Sequence, residues 1–429
     1  MKPTEYPALD ERVYWEKLEN GLTVAVVPKP GFSAKIAYFV TDFGSVHREF
    51  SFEGRDYCVP DGVAHYLEHK MFDMPGGRDV SGEFAALGAM TNAFTSYDMT
   101  AYYFSCTENF APCLRLLLEF VSTPYFTEET VEKERGIIDQ EIGMCLDEPG
   151  TQVFERLMQA AYHVHPIRTP IIGTEETIRE ITPEILNLCH RAFYAPENMM
   201  LCVVGDVDPE EVISTALEVL GREKRSVGIK HNRWQEPLSC REPFTQCAME
   251  VAMPTFSMAF KTKPLPPGPE DVRREMVADL AAEALFGESS ELYLRLYEEG
   301  LIDSAFGGGF DTVDGCAMLI VSGDSFQPEA VRDRILEQAR HLVQTGIPED
   351  AFLRMKRSAM GSRVRGMDNF DSTCFRLCAY HFSGFDYFTF PELYARITAE
   401  ELREFLAETV GEANCCLSVI TPLTEGETL

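Results

Sequence analysis

Residues 181–201, ITPEILNLCHRAFYAPENMML, lie without gaps over residues 397–417, ITAEELREFLAETVGEANCCL, at an offset of 216 in a chain of 429. Only six of the 21 positions are identical, yet each copy spells the same unit. Thr182 or Thr398 stands as an N-cap with a carboxylate in the first turn. An amphipathic helix follows, then a turn, then a strand beginning at Asn198 or Asn414. An offset of half the chain predicts a duplicated domain whose two copies end alike, and a chain this long exceeds what one hydrophobic core usually organises.

The halves also open alike. Apolar runs at 22–27 and 37–40 read as strands in the first half, and those at 248–253 and 257–260 in the second. Helical periodicity follows at 63–74, 109–122, 127–146 and 152–161, then at 272–286, 329–345 and 350–364. The expected fold is α+β: two duplicated domains, each a mixed or antiparallel sheet covered by helices, facing each other across a cleft. The locally basic, aperiodic segment 222–243 reads as a linker between a domain at 1–221 and a second at 244–429.

A formal charge of −31 argues against a phosphate backbone as partner, because such binding needs clustered Lys and Arg. No run of eighteen apolar residues and no leader-like N-terminus is present, so the sequence predicts neither membrane insertion nor classical export. Thirteen cysteines, scattered within apolar runs and without CxxC pairs, read as reduced thiols of a cytoplasmic protein.

The chemistry concentrates in GVAHYLEHKMF, residues 62–72. On a helix, His65 and His69 stand one turn apart on one face, with Glu68 nearly alongside. A histidine pair at this spacing is more often structural than catalytic. The intervening glutamate shifts the balance, because a catalytic zinc site needs neutral nitrogen ligands on one face and a carboxylate near the open position. A third ligand would come from an acid elsewhere. In EKERGIIDQEI, residues 132–142, Glu134 and Glu141 lie two turns apart, about 10.5 Å in axial rise, so both cannot hold one metal. Ile137 and Ile138 between them suit packing against the histidine helix, and spacing alone leaves both acids as candidates.

GVAHYLEHKMF, TNAFTSYDMTAYYF (91–104), EKERGIIDQEIGM (132–144) and HVHPIRTPIIGTEETI (163–178) together resemble the pitrilysin/insulinase family of zinc metallopeptidases. Its HxxEH order is the inverzincin form, and its bacterial members resemble mitochondrial processing peptidase subunits. The resemblance implies one Zn2+ per chain on His65, His69 and Glu141. It also implies Glu68 as general base and Glu134 as an outer acid orienting a ligand histidine. Asn92, Ala93 and Phe94 would belong to an edge strand that pairs with an extended peptide substrate. Three other features are discounted as sites: His163-Val-His165 reads as capping and packing, Gly307-Gly-Gly309 lacks a nucleotide-site context, and 367–371 has too few acids for calcium.

One departure from the family stands out. Members usually carry an arginine and a tyrosine, seven residues apart in the second domain, that bind the substrate carbonyl. Aligned on Gly300-Leu301, those positions here are Leu296 and Asp303, and a slip of one gives Tyr297 and Ser304. In the family, such a split goes with a partner that lacks the metal and supplies the pair. The resemblance therefore implies a zinc endopeptidase subunit acting on short or unfolded peptides in a closed chamber, as a heterodimer with a homologous metal-less chain. A homodimer is the second enzyme reading, and a non-catalytic scaffold subunit the alternative function.

Overall fold

The central strands of the first sheet, TVAVVP (Thr23–Pro28), KIAYFVT (Lys35–Thr41) and MMLCVVG (Met199–Gly205), are buried almost continuously rather than at alternate positions. Continuous burial means that both faces of the sheet are covered. In the computed structural model, which describes residues 2–224 and 228–423, this sheet has seven strands. Their order is Thr4–Tyr6, Glu11–Lys17, Thr23–Pro28, Met199–Gly205, Lys35–Thr41, Thr100–Cys106 and Met90–Thr95. A second sheet has five: Phe244–Met249, Cys415–Pro422, Thr255–Lys261, Cys316–Asp324 and Gly307–Val313. In both, the last strand of the copy runs parallel to the first strand of the five-strand pattern and antiparallel to the next.

The duplication holds at residue level. Helices Pro183–Phe193 and Ala399–Thr409, the short turns Pro196–Asn198 and Glu412–Asn414, and the strands starting at Met199 and Cys415 all keep the spacing of 216. Thr182 and Thr398 cap their helices through the amides of Ile185 and Glu401. The matched asparagines share one task. Asn198 Nδ2 donates to the carbonyls of Phe193 (3.0 Å) and Asp42 (3.2 Å), and Asn414 Nδ2 donates to those of Thr409 and Lys261 (2.6 Å). Each thus satisfies a carbonyl at its helix end and ties it to the neighbouring strand.

Two compact units emerge, but their composition differs from a single cut in the linker. The first contains Met1–Ile142, Pro170–Asn232 and Arg363–Thr389, and the second Gly143–Thr169, Arg233–Ser362 and Phe390–Leu429. The reason lies in the doubly buried strands. Helix Phe370–Phe382 packs Cys374, Leu377 and Cys378 onto Met199–Gly205 and Lys35–Thr41 of the first sheet, and helix Pro149–Ala161 packs on Cys415–Pro422 and Thr255–Lys261 of the second. Each sheet has one face covered by a helix from the other half of the chain. Positions 225–227 of the expected linker lie outside the described residues, while its later part is firmly held. Lys261 Nζ, buried, pairs with Glu236 at 2.8 Å, donates to the carbonyls of Ala161 and Pro237, and sits 4.3 Å from the centre of the Tyr162 ring. Removing one member of a buried ion pair leaves an uncompensated charge. Glu236→Ala is accordingly expected to cost about 3–5 kcal/mol, read as lost stability in urea unfolding.

Element bounds follow the expected ones to within a few residues, and two depart further. The first histidine helix ends at Lys70 rather than 74, where Asp73–Met74 forms a short strand pair with Arg78–Asp79. The strand expected at 248–253 is Phe244–Met249. The Gly307-Gly-Gly309 run opens a strand, and a Cβ on Gly308 would lie 2.6 Å from both Ile320 O and the Phe286 ring, so glycine permits the helix Pro269–Phe286 to pack there. His165 caps the turn Pro166–Arg168: its Nδ1 accepts from the Ile167 amide at 3.1 Å and its Nε2 lies 2.7 Å from Asp314 O, a neutral, structural imidazole. Among the described residues, no helix is long and apolar enough to cross a membrane.

Candidate metal centre

The helix Val63–Lys70 starts where Gly62 takes φ 88°, and a Cβ there would stand 2.5 Å from Ile172 O. Glycine alone allows this turn and the close approach of the 170–174 loop. Val63, Ala64, Tyr66 and Leu67 face the core. The Tyr66 hydroxyl donates to Val131 O, and the buried Lys70 ammonium donates to Thr130 O at 3.0 Å and pairs with Asp73. These residues fasten the histidine helix to the start of helix Glu128–Asp147. That helix buries Val131, Ile138 and Ile142, a spacing that turns Glu134 and Glu141 toward the same side. Ile137, expected beside Ile138 in the packing, is 46% exposed instead, because the 100° step between successive residues takes it off the buried face.

His65, His69 and Glu141 converge, with one potential ligand atom from each lying within 4.8 Å of the other two. His65 Nε2 stands 3.6 Å from Glu141 Oε1, and His69 Nε2 stands 3.7 Å from Glu141 Oε2. These separations are too long for hydrogen bonds. They are close to the roughly 3.3–3.5 Å between neighbouring ligand atoms of a tetrahedral ion with bonds of about 2.0–2.2 Å. Two imidazole nitrogens and one carboxylate oxygen form a donor set that fits zinc. Glu134 does not join this set. Its Oε1 lies 3.0 Å from His69 Nδ1, the far nitrogen, which directs Nε2 toward the shared point.

The charges follow the geometry. Burial, then the neighbouring His69, pulls His65 down to about 3, leaving a neutral imidazole. At His69 burial works downward as well, but the hydrogen bond to Glu134 and the charges of Glu68, Glu134 and Glu141 outweigh it and raise the group. Burial pushes upward on Glu134, and the hydrogen bond from His69 overrides it, so that carboxyl stays below its usual range. Glu68, 8% exposed, is raised by burial against the opposing hydrogen bond from Thr95.

Asn92, Ala93 and Phe94 lie on Met90–Thr95, an edge strand of the first sheet. Asn92 is exposed, and its Oδ1 accepts from the Ala93 amide at 2.9 Å. Phe94 rests 5.9 Å from the Phe375 ring and 6.4 Å from that of Tyr103. The residue that sequence reading passed over is Thr95, whose Oγ1 donates to Glu68 Oε2 at 2.7 Å. It stood inside the quoted NAFT run, but nothing in the linear sequence pairs it with Glu68. In the second unit, Leu296 is fully buried on helix Glu291–Glu298, Arg295 forms an ion pair with Glu337 at 3.7 Å, Tyr297 is 56% exposed, and Asp303 accepts from the Ala305 amide.

A duplicated α+β chain with an HxxEH helix facing an acidic helix defines the class. Residues 57–175 match the family model described as Insulinase (Peptidase family M16), and residues 180–359 match that described as Peptidase M16 inactive domain. The chain belongs to the insulinase family, peptidase family M16. It is 36% identical to the uncharacterized zinc protease YmfH of Bacillus subtilis (strain 168), across 98% of this chain and 99% of that protein. A crystal structure from Alicyclobacillus acidocaldarius, described as an M16-like peptidase, matches with a TM-score of 0.93 at 32% identity, covering 96% of this chain and 99% of that one. A Schizosaccharomyces pombe protein named as mitochondrial-processing peptidase subunit beta is 29% identical over 48% of this chain and 44% of its own length.

Proposed function

We propose that the chain is the zinc-bearing subunit of an endopeptidase that hydrolyses short or unfolded peptides together with a homologous, metal-less partner. The observation that carries this reading is the convergence of His65, His69 and Glu141 beside the buried carboxylate of Glu68. His65, His69 and Glu141 would hold one zinc ion, with Glu134 fixing the tautomer of His69. When bound, zinc supplies Lewis acidity toward water and the scissile carbonyl. Glu68 takes a proton from the attacking water and returns it to the leaving amine. The edge strand Met90–Thr95 offers its unpaired backbone to an extended peptide, which binds by strand addition with little dependence on sequence. An acidic chain favours cationic peptides through long-range attraction. All thirteen cysteines are free, in keeping with a reducing, cytoplasmic setting.

The test is metal content. Purified protein is expected to carry about one zinc per chain, removable by chelation. His65→Ala, His69→Ala and Glu141→Gln should each lose the ion, measured by elemental analysis. Glu134→Gln should keep it with weakened affinity, about 10–100-fold. Normal zinc in Glu141→Gln with none in Glu134→Gln would reverse the assignment of the third ligand.

A further inference from the structure

We propose that Thr95, at the end of the edge strand, is the positioning residue for the Glu68 carboxylate through the hydrogen bond from its Oγ1 to Glu68 Oε2; the inference rests on Glu68 acting as base.

Four hydroxyls lie beneath the site. Thr95 ends the strand Met90–Thr95 and is paired across the sheet with Thr100. Their Oγ1 atoms are 3.4 Å apart. Thr100 Oγ1 donates to Phe43 O at 2.7 Å, and the buried Tyr194 and Tyr102 hydroxyls meet at 2.8 Å. A hydroxyl has one proton to give. That of Thr100 is committed to the Phe43 carbonyl, so it cannot be donated back to Thr95. The Thr95 proton is left for Glu68 Oε2, at 2.7 Å, and an ionised carboxylate only accepts. The direction of this bond is therefore fixed by its neighbours.

The rotamer is fixed too. Threonine is stiff about χ1, and Thr100, Tyr102 and Tyr194 are buried. Glu68 projects from a helix, has several rotamers of its own, and shows no side-chain hydrogen bond to any other described residue. Thr95 is what selects among them. It also belongs to the strand that carries Asn92, Ala93 and Phe94, so the segment offered to the peptide backbone is the one that aims the base. A base must lie within hydrogen-bond reach of the proton it removes, so loss of aim falls on the chemical step.

Thr95→Val separates this role from a structural one. Valine keeps the branched shape and suits a strand at least as well, so a residue needed only for packing tolerates the change. The inference expects kcat on a quenched fluorescent peptide, with the partner chain present, to fall about 10–100-fold. KM and zinc content should stay at wild-type values, and Thr95→Ser, which restores the hydroxyl, should recover most of the rate. Wild-type kcat in Thr95→Val overturns the inference and leaves the peptidase standing. A wild-type chain that binds zinc yet hydrolyses nothing with any partner overturns the peptidase. In that case crystal structures of the zinc-free wild type and Thr95→Val still decide on position: Glu68 Oε2 should leave its place in the variant, and an unmoved carboxylate refutes positioning by Thr95.

Discussion

Glu68→Gln is expected to bind zinc at the wild-type ratio and to lose peptide hydrolysis by about 10²–10⁴-fold, the range supplied by a positioned general base. Glutamine matches glutamate in shape, and its amide oxygen can still accept the Thr95 hydroxyl that Glu68 Oε2 accepts at 2.7 Å. The packing around this buried side chain therefore stays intact, and so should the thermal midpoint. What disappears is a group that can take a proton. On the proposed reading the ligand atoms are those of His65, His69 and Glu141, which converge without Glu68, so metal affinity has no reason to collapse. Zinc by elemental analysis and turnover of an internally quenched peptide, measured on one preparation, separate the two effects. Undiminished turnover removes Glu68 from the role of base, and loss of zinc places it among the ligands.

Much of this site was legible in the sequence because its first element is local. The spacing of His65, Glu68 and His69 fixes their shared helical face as soon as the segment is helical, and the offset of 216 locates both closing strands to within one residue: expected from Asn198 and Asn414, they start at Met199 and Cys415. The third ligand was not legible from spacing. Glu134 and Glu141 are equivalent on paper, and only the tilt of helix Glu128–Asp147, set by Val131, Ile138 and Ile142, brings Glu141 to both Nε2 atoms and Glu134 to the far side of His69. The helix exchange was hidden for a related reason. The apolar positions of Phe370–Phe382 announce burial without saying on which sheet, and the doubly buried strand Met199–Gly205 calls for a second cover without saying where it comes from. Thr95 and Asn198 belong to the same kind: their partners, Glu68 and Asp42, are 27 and 156 residues away.

The isolated chain is expected to hydrolyse peptides about 10²–10³-fold more slowly than a mixture with a homologous chain that carries the arginine and tyrosine, the loss typical of a missing oxyanion donor. The family positions for that pair fall here on Leu296 and Asp303. Leucine donates no hydrogen bond, and an ionised carboxylate repels a developing oxyanion where a guanidinium attracts it. The structure also speaks against rebuilding the pair in this chain. Leu296 is fully buried in the second unit, so Leu296→Arg would place a charge in a core and unfold it rather than restore activity. The neighbouring Arg295 is engaged with Glu337 at 3.7 Å, and Tyr297 takes the opposite course, 56% exposed. On the proposed reading the donor arrives on another polypeptide. Mixing the purified chain with M16 homologues that lack the HxxEH motif, and following turnover against partner concentration, should give a saturating rise. A partner whose arginine and tyrosine are replaced should bind without that rise. Full turnover by the isolated chain, unchanged by any partner, makes it self-sufficient. Saturable partner binding with zinc in place and no hydrolysis makes it a scaffold.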